Sequence, residues 1–448
     1  MRFWHLLWLI AASTIPFICF AQDDTNYLSP SDLMIFADKL AAQGNFNKAK
    51  NIYSVLSDNT DYTIHTESIF QMGNIAMAEG DYNAAIRYYR QILDNNPNLP
   101  RVRLELALAY FLNKEYQAAQ FHFEFVRATP NLPDAVAQKV DIYLALIRQQ
   151  KNWSLNFSLG IVPDSNLNNA GSQKQECINT IFGTLCRPLD TKKSDTGLHL
   201  TADADYYLRF TKRFGLRNTI NIDLSDFPTS EFDDHSIHLA SGPRYAFDNG
   251  EISLQPTIYA RWYAGDFYNW GYGLQLNTGW QFGKRWLLSA GSQISKNNYH
   301  NDFINNALTG YNWGIFIQPR FYLNNKSFLF GSLQFNQTNA RIKSYGNDNI
   351  IYSLGYFSEF KWGFSLMTRL DFIDTNHSSA AWFVIDNKFQ ERTRQDKTMR
   401  FYARLSNNKI NWKNIIPAIS YTFTTRTSNI QLYEFDKHRI ELELIRRF

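Results

Sequence analysis

Few residues in this chain of 448 have the type and spacing to do chemistry. Cys177 and Cys186 share one segment, and the only other cysteine is Cys19. In an oxidising compartment two such thiols pair, and the bridge would close a short loop and stabilise it by roughly 2–3 kcal/mol. This reads as a local staple rather than a redox centre. His235 and His238 stand three apart beside Asp233 and Asp234. They are conceivable metal ligands, but solvated loop residues are the plainer reading. Arg392, Arg394, Lys397 and Arg400 form a basic cluster. The phosphates of lipopolysaccharide would be its partner, with an ordinary charged rim as the alternative. The sequence contains no nucleophile elbow, HExxH, Gly-rich phosphate loop or CxxC, so it reads as a non-enzyme with no cofactor and no metal.

The elements that position these residues are strands. Leu198, Leu200, Ala202, Ala204, Tyr206, Leu208 and Phe210 alternate with His199, Thr201, Asp203, Asp205, Tyr207 and Arg209. Ile252 to Trp262 and Trp270 to Phe282 repeat the pattern. Period two puts apolar side chains on one face and polar ones on the other. A soluble sandwich also alternates, but many of these strands reach ten residues or more, and globular strands average about five or six. Membrane strands need about 9–11. Aromatics make up 16% of the chain and gather at strand ends, as membrane girdles require.

From residue 151 on, fifteen segments look strand-like, whereas bacterial single-chain barrels use even numbers. Connections resolve the count. Short turns fall at 211–213, 248–250, 283–285, 324–326 and 361–362, with a longer one at 407–414. Long loops are expected after every odd strand. Ala380–Gln390 is assigned to one of those loops, which leaves fourteen strands. Short turns would face the periplasm and long loops the outside. Ile440, Leu442 and Leu444 lead to a terminal Phe448, the pattern read by the barrel-assembly machinery.

Arg2 precedes the apolar run Phe3–Phe20, and residues 1–21 read as a secretory signal peptide. The rival reading acylates Cys19, but the bulky Ile18 disfavours it. Residues 22–150 follow with 11 Lys/Arg and 15 Asp/Glu, a mildly acidic segment with nothing to suggest nucleic acid. Within it a period of about 34 residues marks tetratricopeptide repeats at about 30–63, 66–99 and 100–133, with a capping helix at 134–148. The middle copy is clearest: Gly73, Ala76, Gly80-Asp81-Tyr82, Ala85, Tyr89 and Pro97. Repeat register puts Met34, Phe70, Asn74, Met77, Leu104, Leu108 and Phe111 along a concave groove suited to an extended or helical peptide. Packing against the next helix is the alternative for each. The fold class is therefore an α + β membrane protein: an N-terminal tetratricopeptide α-solenoid, then a 14-stranded antiparallel transmembrane β-barrel over 151–448.

This architecture resembles the Slam family, the surface lipoprotein assembly modulators. Val162-Pro163-Asp164-Ser165-Asn166-Leu167-Asn168, after the first strand, is similar to that family's P-D-S-N-[IL]-N segment. The run from Ser428 to Arg439 is similar to its S-N-I-x-x-Y-x-[YF]-D-[RK]-x-R segment before the last strand. The resemblance covers essentially the whole mature chain. It implies an outer-membrane protein with its repeats in the periplasm. Such a protein passes client lipoproteins, or secreted haem- or metal-binding proteins, to the surface. Periplasmic chaperones and the barrel-assembly machinery would be its partners. It also makes Pro163, Asp164, Ser165 and Asn166 candidate functional residues, with plain turn chemistry as the alternative. An exopolysaccharide export barrel and a small-solute porin are the competing readings.

Overall fold

The computed structural model describes residues 28–412 and 415–446. The expected signal peptide, Cys19 and Phe448 lie outside the described residues. The chain divides after Ser68 into two compact units.

Among the described residues seven helices come first: α1 (Pro30–Ala42), α2 (Phe46–Leu56), α3 (Tyr62–Glu79), α4 (Tyr82–Asn95), α5 (Pro100–Leu112), α6 (Tyr116–Arg127) and α7 (Asp134–Gln150). Ser29 caps α1, accepting the Asp32 N–H at 3.1 Å, with Pro30 in the first turn. Asp81 does the same for α4 through the Ala84 N–H at 2.9 Å. The repeat is visible in its chemistry. In α2 the Tyr53 hydroxyl donates to Asp38, fifteen residues earlier. In α4 the Tyr89 hydroxyl donates to Asn74, again fifteen earlier, at 2.8 Å. The third copy carries Phe123 and Leu108 at those positions, so that hydrogen bond has no counterpart there, and Phe123 stacks on Tyr143 instead at 5.2 Å. A side chain at Gly73 would collide with the Tyr89 ring, which explains the small residue.

Each first helix ends on a residue in the left-handed region. Gly44 has φ +78° and Gly80 φ +79°, but the third copy puts Lys114 there at φ +63°. The next amide in each case bonds back into the helix: Asn45 to Leu40, Asp81 to Ala76 and Glu115 to Tyr110, all at 2.9 Å. This is the Schellman ending, which favours glycine because Cβ crowds the carbonyl.

The strands follow as β1 (Trp153–Asp164), β2 (Gln175–Thr180), β3 (Gly183–Pro188), β4 (Asp195–Arg209), β5 (Phe214–Asp226), β6 (Asp234–Phe247), β7 (Gly250–Tyr263), β8 (Asp266–Phe282) and β9 (Trp286–Tyr299). After the short helix α8 (Asp302–Leu308) come β10 (Gly310–Asn324), β11 (Ser327–Ala340), β12 (Asn347–Glu359), β13 (Phe364–His377), β14 (Ala381–Ile385), β15 (Lys388–Arg392), β16 (Gln395–Asn407), β17 (Ile415–Ser428) and β18 (Phe435–Arg446). Fourteen of them close into an antiparallel barrel in which β1 pairs with both β4 and β18. The segment 380–390 is indeed outside the wall, as the β14–β15 hairpin, and β2–β3 forms a second one.

Leu159, Ile161, Leu198, Leu208, Ile258 and Leu354 face outward and are exposed. Trp153, Phe210, Phe214, Phe282 and Trp286 ring the short-turn end, and Tyr263, Trp270 and Tyr311 the other. No described helix is long and apolar enough to cross a membrane; a closed barrel with an outward apolar band satisfies its own backbone groups and can cross one. One expectation is corrected. The connection after β7 is not a long loop but the two residues Ala264 and Gly265, both at positive φ (+54° and +80°). That is the backbone of a type I′ hairpin turn, and the alternation of β7 and β8 simply continues into it.

The Lys114 conformation generates a test. Lys114→Gly is expected to stabilise the helical repeats by about 1 kcal/mol. The readout is the thermal midpoint of helical circular dichroism in the full chain; an unchanged or lower midpoint would refute the strain argument.

Candidate functional site: the barrel mouth, lumen and closing seam

From Ile69, within α3, the helical segment belongs to the same compact unit as the barrel. The contact is built on α6. A repeat helix of this kind buries one stripe, here Ala119, Phe123 and Val126. On α6 the other face is apolar too. Phe125 and Ala128, both fully buried, pack on Tyr322, Phe328, Phe330 and Phe357, which point into the barrel at its short-turn end. Phe121 lies edge-on to Phe125 at 4.8 Å and to Phe357 at 6.2 Å. Burying each such ring contributes roughly 2–3 kcal/mol.

Polar contacts surround this aromatic centre. The Tyr322 hydroxyl donates to Glu124 at 2.6 Å. Arg103, fully buried on α5, makes a 2.6 Å ion pair with Glu359 at the end of β12 and donates to the Pro97 carbonyl at 3.0 Å. Around the rim, Arg90 donates to the Asn408 carbonyl at 3.0 Å, Lys284 to Asp134 at 2.9 Å and Gln117 to Asn156 at 3.0 Å, while Arg148 reaches the Asp248 carbonyl. Burial pulls Lys151, in the link to β1, below the ordinary lysine range, against the pull of Glu251 and Asp205. Helices α4 to α7 therefore cap the short-turn mouth.

Inside, the wall from β8 to β12 is lined by neutral amides, with Gln275, Asn277, Gln293, Gln334 and Asn336 bordering a cavity of about 490 Å³. The wall from β13 to β18 carries ion pairs: Arg369 with Asp371 at 3.0 Å, Arg404 with Glu443 at 3.1 Å and Arg439 with Glu441 at 2.6 Å.

The residues singled out in sequence distribute unevenly. Met34 is half-buried on α1, in the first unit. Phe70 is a correction: it is 3% exposed, 5.7 Å from the Tyr89 ring and capped by the Arg101 guanidinium at 4.5 Å, so it belongs to the packing of the repeat. Asn74 is committed to Tyr89 and, through its amide N–H, to Gln71 at 3.0 Å. Phe111 packs against Tyr116 and Tyr143 at 5.7 and 5.1 Å. Met77, Leu104 and Leu108 are half-buried and retain apolar surface. Beside Leu104, burial raises the Glu105 carboxyl above the ordinary range, partly offset by Lys139 and Arg101.

His235 and His238 are not loop residues. Both lie on β6, and an odd separation sends them to opposite faces, so they cannot share an ion. The basic cluster also disperses. Arg394 is paired with Asp396 at 2.6 Å, Arg400 is 4.0 Å from Asp371, and Arg392 lies on the β14–β15 hairpin. A strand alternates its faces, so a run of cations near it in sequence is not one patch. Cys177 and Cys186 face each other across β2–β3 and are bonded. Ile440, Leu442 and Leu444 point outward on β18, exposed by 41, 54 and 50%.

The two sequence motifs meet. Asp164, 3% exposed, accepts from Lys437 Nζ at 2.9 Å and from the Asn166 N–H at 2.9 Å. The Ser165 N–H donates to the His438 carbonyl at 3.0 Å, and the Ser165 hydroxyl oxygen accepts the His438 N–H at 2.8 Å. Asn166, fully buried, donates to the carbonyls of Ala170 at 2.9 Å and Asp436 at 3.0 Å, and accepts the Ala170 N–H at 2.9 Å. Pro163 has no N–H to give, and regular pairing of β1 with β18 lapses at Val162 and Pro163 before resuming at Asp164 and Arg439. These side chains take over there and tie the first strand to the last.

The contacts missed in sequence were Phe121, Phe125, Glu124 and Arg103. The signal was an extra aromatic stripe on α6, where the outer face of a free repeat would be polar.

Asp164→Ala leaves Lys437 without its buried carboxylate and is expected to lower barrel stability by about 3 kcal/mol. The check is the temperature at which the folded band unfolds on semi-native gels; no change would mean the seam does not depend on this pair. Phe125→Asp puts a charge into the aromatic centre and is expected to undock α6 and raise small-solute flux in reconstituted vesicles. Unchanged flux would mean that α6 does not seal the mouth.

Comparison with known proteins agrees with this geometry. Residues 153–448 match the surface lipoprotein assembly modifier profile, and residues 42–123 match the N-terminal TPR repeats of surface lipoprotein assembly modifiers. The surface lipoprotein assembly modifier of Pasteurella multocida is 23% identical over 395 residues, 84% of this chain and 75% of the relative. Surface lipoprotein assembly modifier 1 of Neisseria meningitidis is 24% identical over 396 residues, 85% and 76% of the two chains. The hemophilin secretion modulator of Acinetobacter baumannii is 22% identical over 409 residues, 85% and 78%. With its barrel and its repeats both matched, this chain belongs to the surface lipoprotein assembly modifier family and is an outer-membrane protein.

Proposed function

We propose that this protein delivers client proteins across the outer membrane to the cell surface. The clients are lipoproteins or a soluble haem- or metal-binding protein. The repeats lie in the periplasm and receive the client or the chaperone that carries it. The barrel gives passage, alone or with the barrel-assembly machinery. The names of the relatives supply the client classes.

The observation that carries the reading is the docking of α6 on the lumen-facing rings Tyr322, Phe328, Phe330 and Phe357. A passive pore has no use for a receptor domain seated in its mouth. A translocator does, because a client bound to the repeats is then held where the lumen begins. The apolar surface that half-buried Met77, Leu104 and Leu108 retain suits a client segment. The amides along one side of the lumen cavity offer donors and acceptors, and the charges that border it, Arg369, Asp371 and Arg400, lie close enough to balance one another, which suits an extended backbone.

The test is surface display. Leu104→Asp with Leu108→Asp is expected to leave a folded barrel and strip the client from the surface, because a carboxylate opposes apolar docking. Antibody or protease accessibility of candidate lipoproteins in intact cells reads the outcome. A porin would keep its client-independent flux, and no surface protein would go missing. Unaltered display together with altered solute uptake would overturn the translocator reading.

A further inference from the structure

At the long-loop end two hairpins stand outside the wall. The β2–β3 hairpin is stapled by Cys177 and Cys186, and β14–β15 lies beside it. The Asn179 N–H donates to the Asn387 carbonyl at 2.8 Å and joins the two. Each is a separate two-stranded sheet, so among the described residues neither pairs with a barrel strand. Sheets of this kind keep unpaired backbone edges.

Between the hairpins and the last outer loop is a cavity of about 610 Å³. Ile178, Leu185, Trp382, Phe383, Phe389 and Tyr433 line it. Trp382 and Phe389 remain 68 and 63% exposed, and Ile181 and Phe182 at the tip of the first hairpin 93 and 91%. Apolar surface of this extent in water marks a binding surface.

The polar groups decide what it binds. Arg187 is already paired with Glu176 at 2.5 Å. Arg394 is paired with Asp396 at 2.6 Å and lies 3.4 Å over the Tyr433 ring. His377 is held by the Ser344 carbonyl at 3.0 Å. A lipid phosphate or a fatty-acid carboxylate would therefore meet cations whose charge is already balanced. An extended polypeptide meets what is on offer: strand edges that alternate N–H with C=O, and aromatic pockets for every second side chain.

We propose that this cavity binds an extended apolar segment of a polypeptide that has just left the barrel, adding it as a strand to a hairpin edge. The site rests on the reading that the chain delivers proteins outward. Its consequence is direction. Outside the cell no nucleotide drives transport, and binding on the far side depletes the segments free to slide back.

The test uses the full chain in phosphatidylcholine nanodiscs and a short fluorescent peptide of alternating Val and Thr. The peptide is expected to bind, and Trp382→Ser with Phe389→Ser to weaken it by at least about tenfold. The same peptide N-methylated at every second amide is expected to lose as much, since edge pairing is blocked, and palmitate is expected not to compete. Semi-native gels confirm that the variant barrel is folded. Equal binding by the variant, equal binding of the N-methylated peptide, or displacement by palmitate would each overturn the proposal. Normal surface display without peptide binding would overturn this site alone. Peptide binding without any client delivery would overturn the delivery reading and leave the site standing.

Discussion

A backbone in hydrocarbon has no water to bond to, so every N–H and C=O in the wall needs a partner within the protein. The rest of this molecule depends on that constraint. Thirteen of the fourteen strand junctions join segments that follow one another along the barrel, and the pairing of β1 with β18 alone joins its two ends. It is also the junction where regular pairing lapses, at Val162 and Pro163. Asp164, Ser165 and Asn166 carry the tie past that lapse to Asp436, Lys437 and His438. The two short segments read in the sequence as family-like motifs are thus two halves of one closure, far apart in sequence.

A closed wall leaves two open ends, and the structure treats them differently. The short-turn end is filled by α6 and fringed by single hydrogen bonds and ion pairs from α4, α5 and α7. The centre is apolar and tight. The fringe is polar and mostly solvent-facing, where an ion pair contributes about 1 kcal/mol or less. The exception is Arg103 with Glu359, buried on both sides, which sets the position of α5 over the barrel because neither group tolerates being left alone. Helices held in this way act as a cap, so a ligand that binds the undocked helices better would open the mouth in proportion to that difference.

The long-loop end is built from excursions of the chain rather than from a separate domain. The disulfide between Cys177 and Cys186 joins directly opposed residues of one hairpin. It therefore stiffens a local projection and does not tie loop to barrel. Ile181 and Phe182, at the tip of that same hairpin, stay presented to solvent.

The strands, their number and the helical repeats were legible in the sequence, because alternation, turn residues and the 34-residue period are local properties. Gly80, Asp81 and Tyr89 announce a turn, a cap and a packing residue wherever they stand. Faces were less legible. His235 and His238 look like a pair until the strand separates them, and Phe70 looks like a groove residue until Tyr89 and Arg101 cover it. The turn at Ala264 and Gly265 was hidden because alanine seldom adopts that backbone. Only the tertiary structure decided that α6 enters the barrel, that Arg103 meets Glu359 across 256 residues, and that Asp164 meets Lys437. Period and propensity act within a few residues, whereas these contacts are set by the closure of the wall, which brings distant segments together for reasons none of them carries alone.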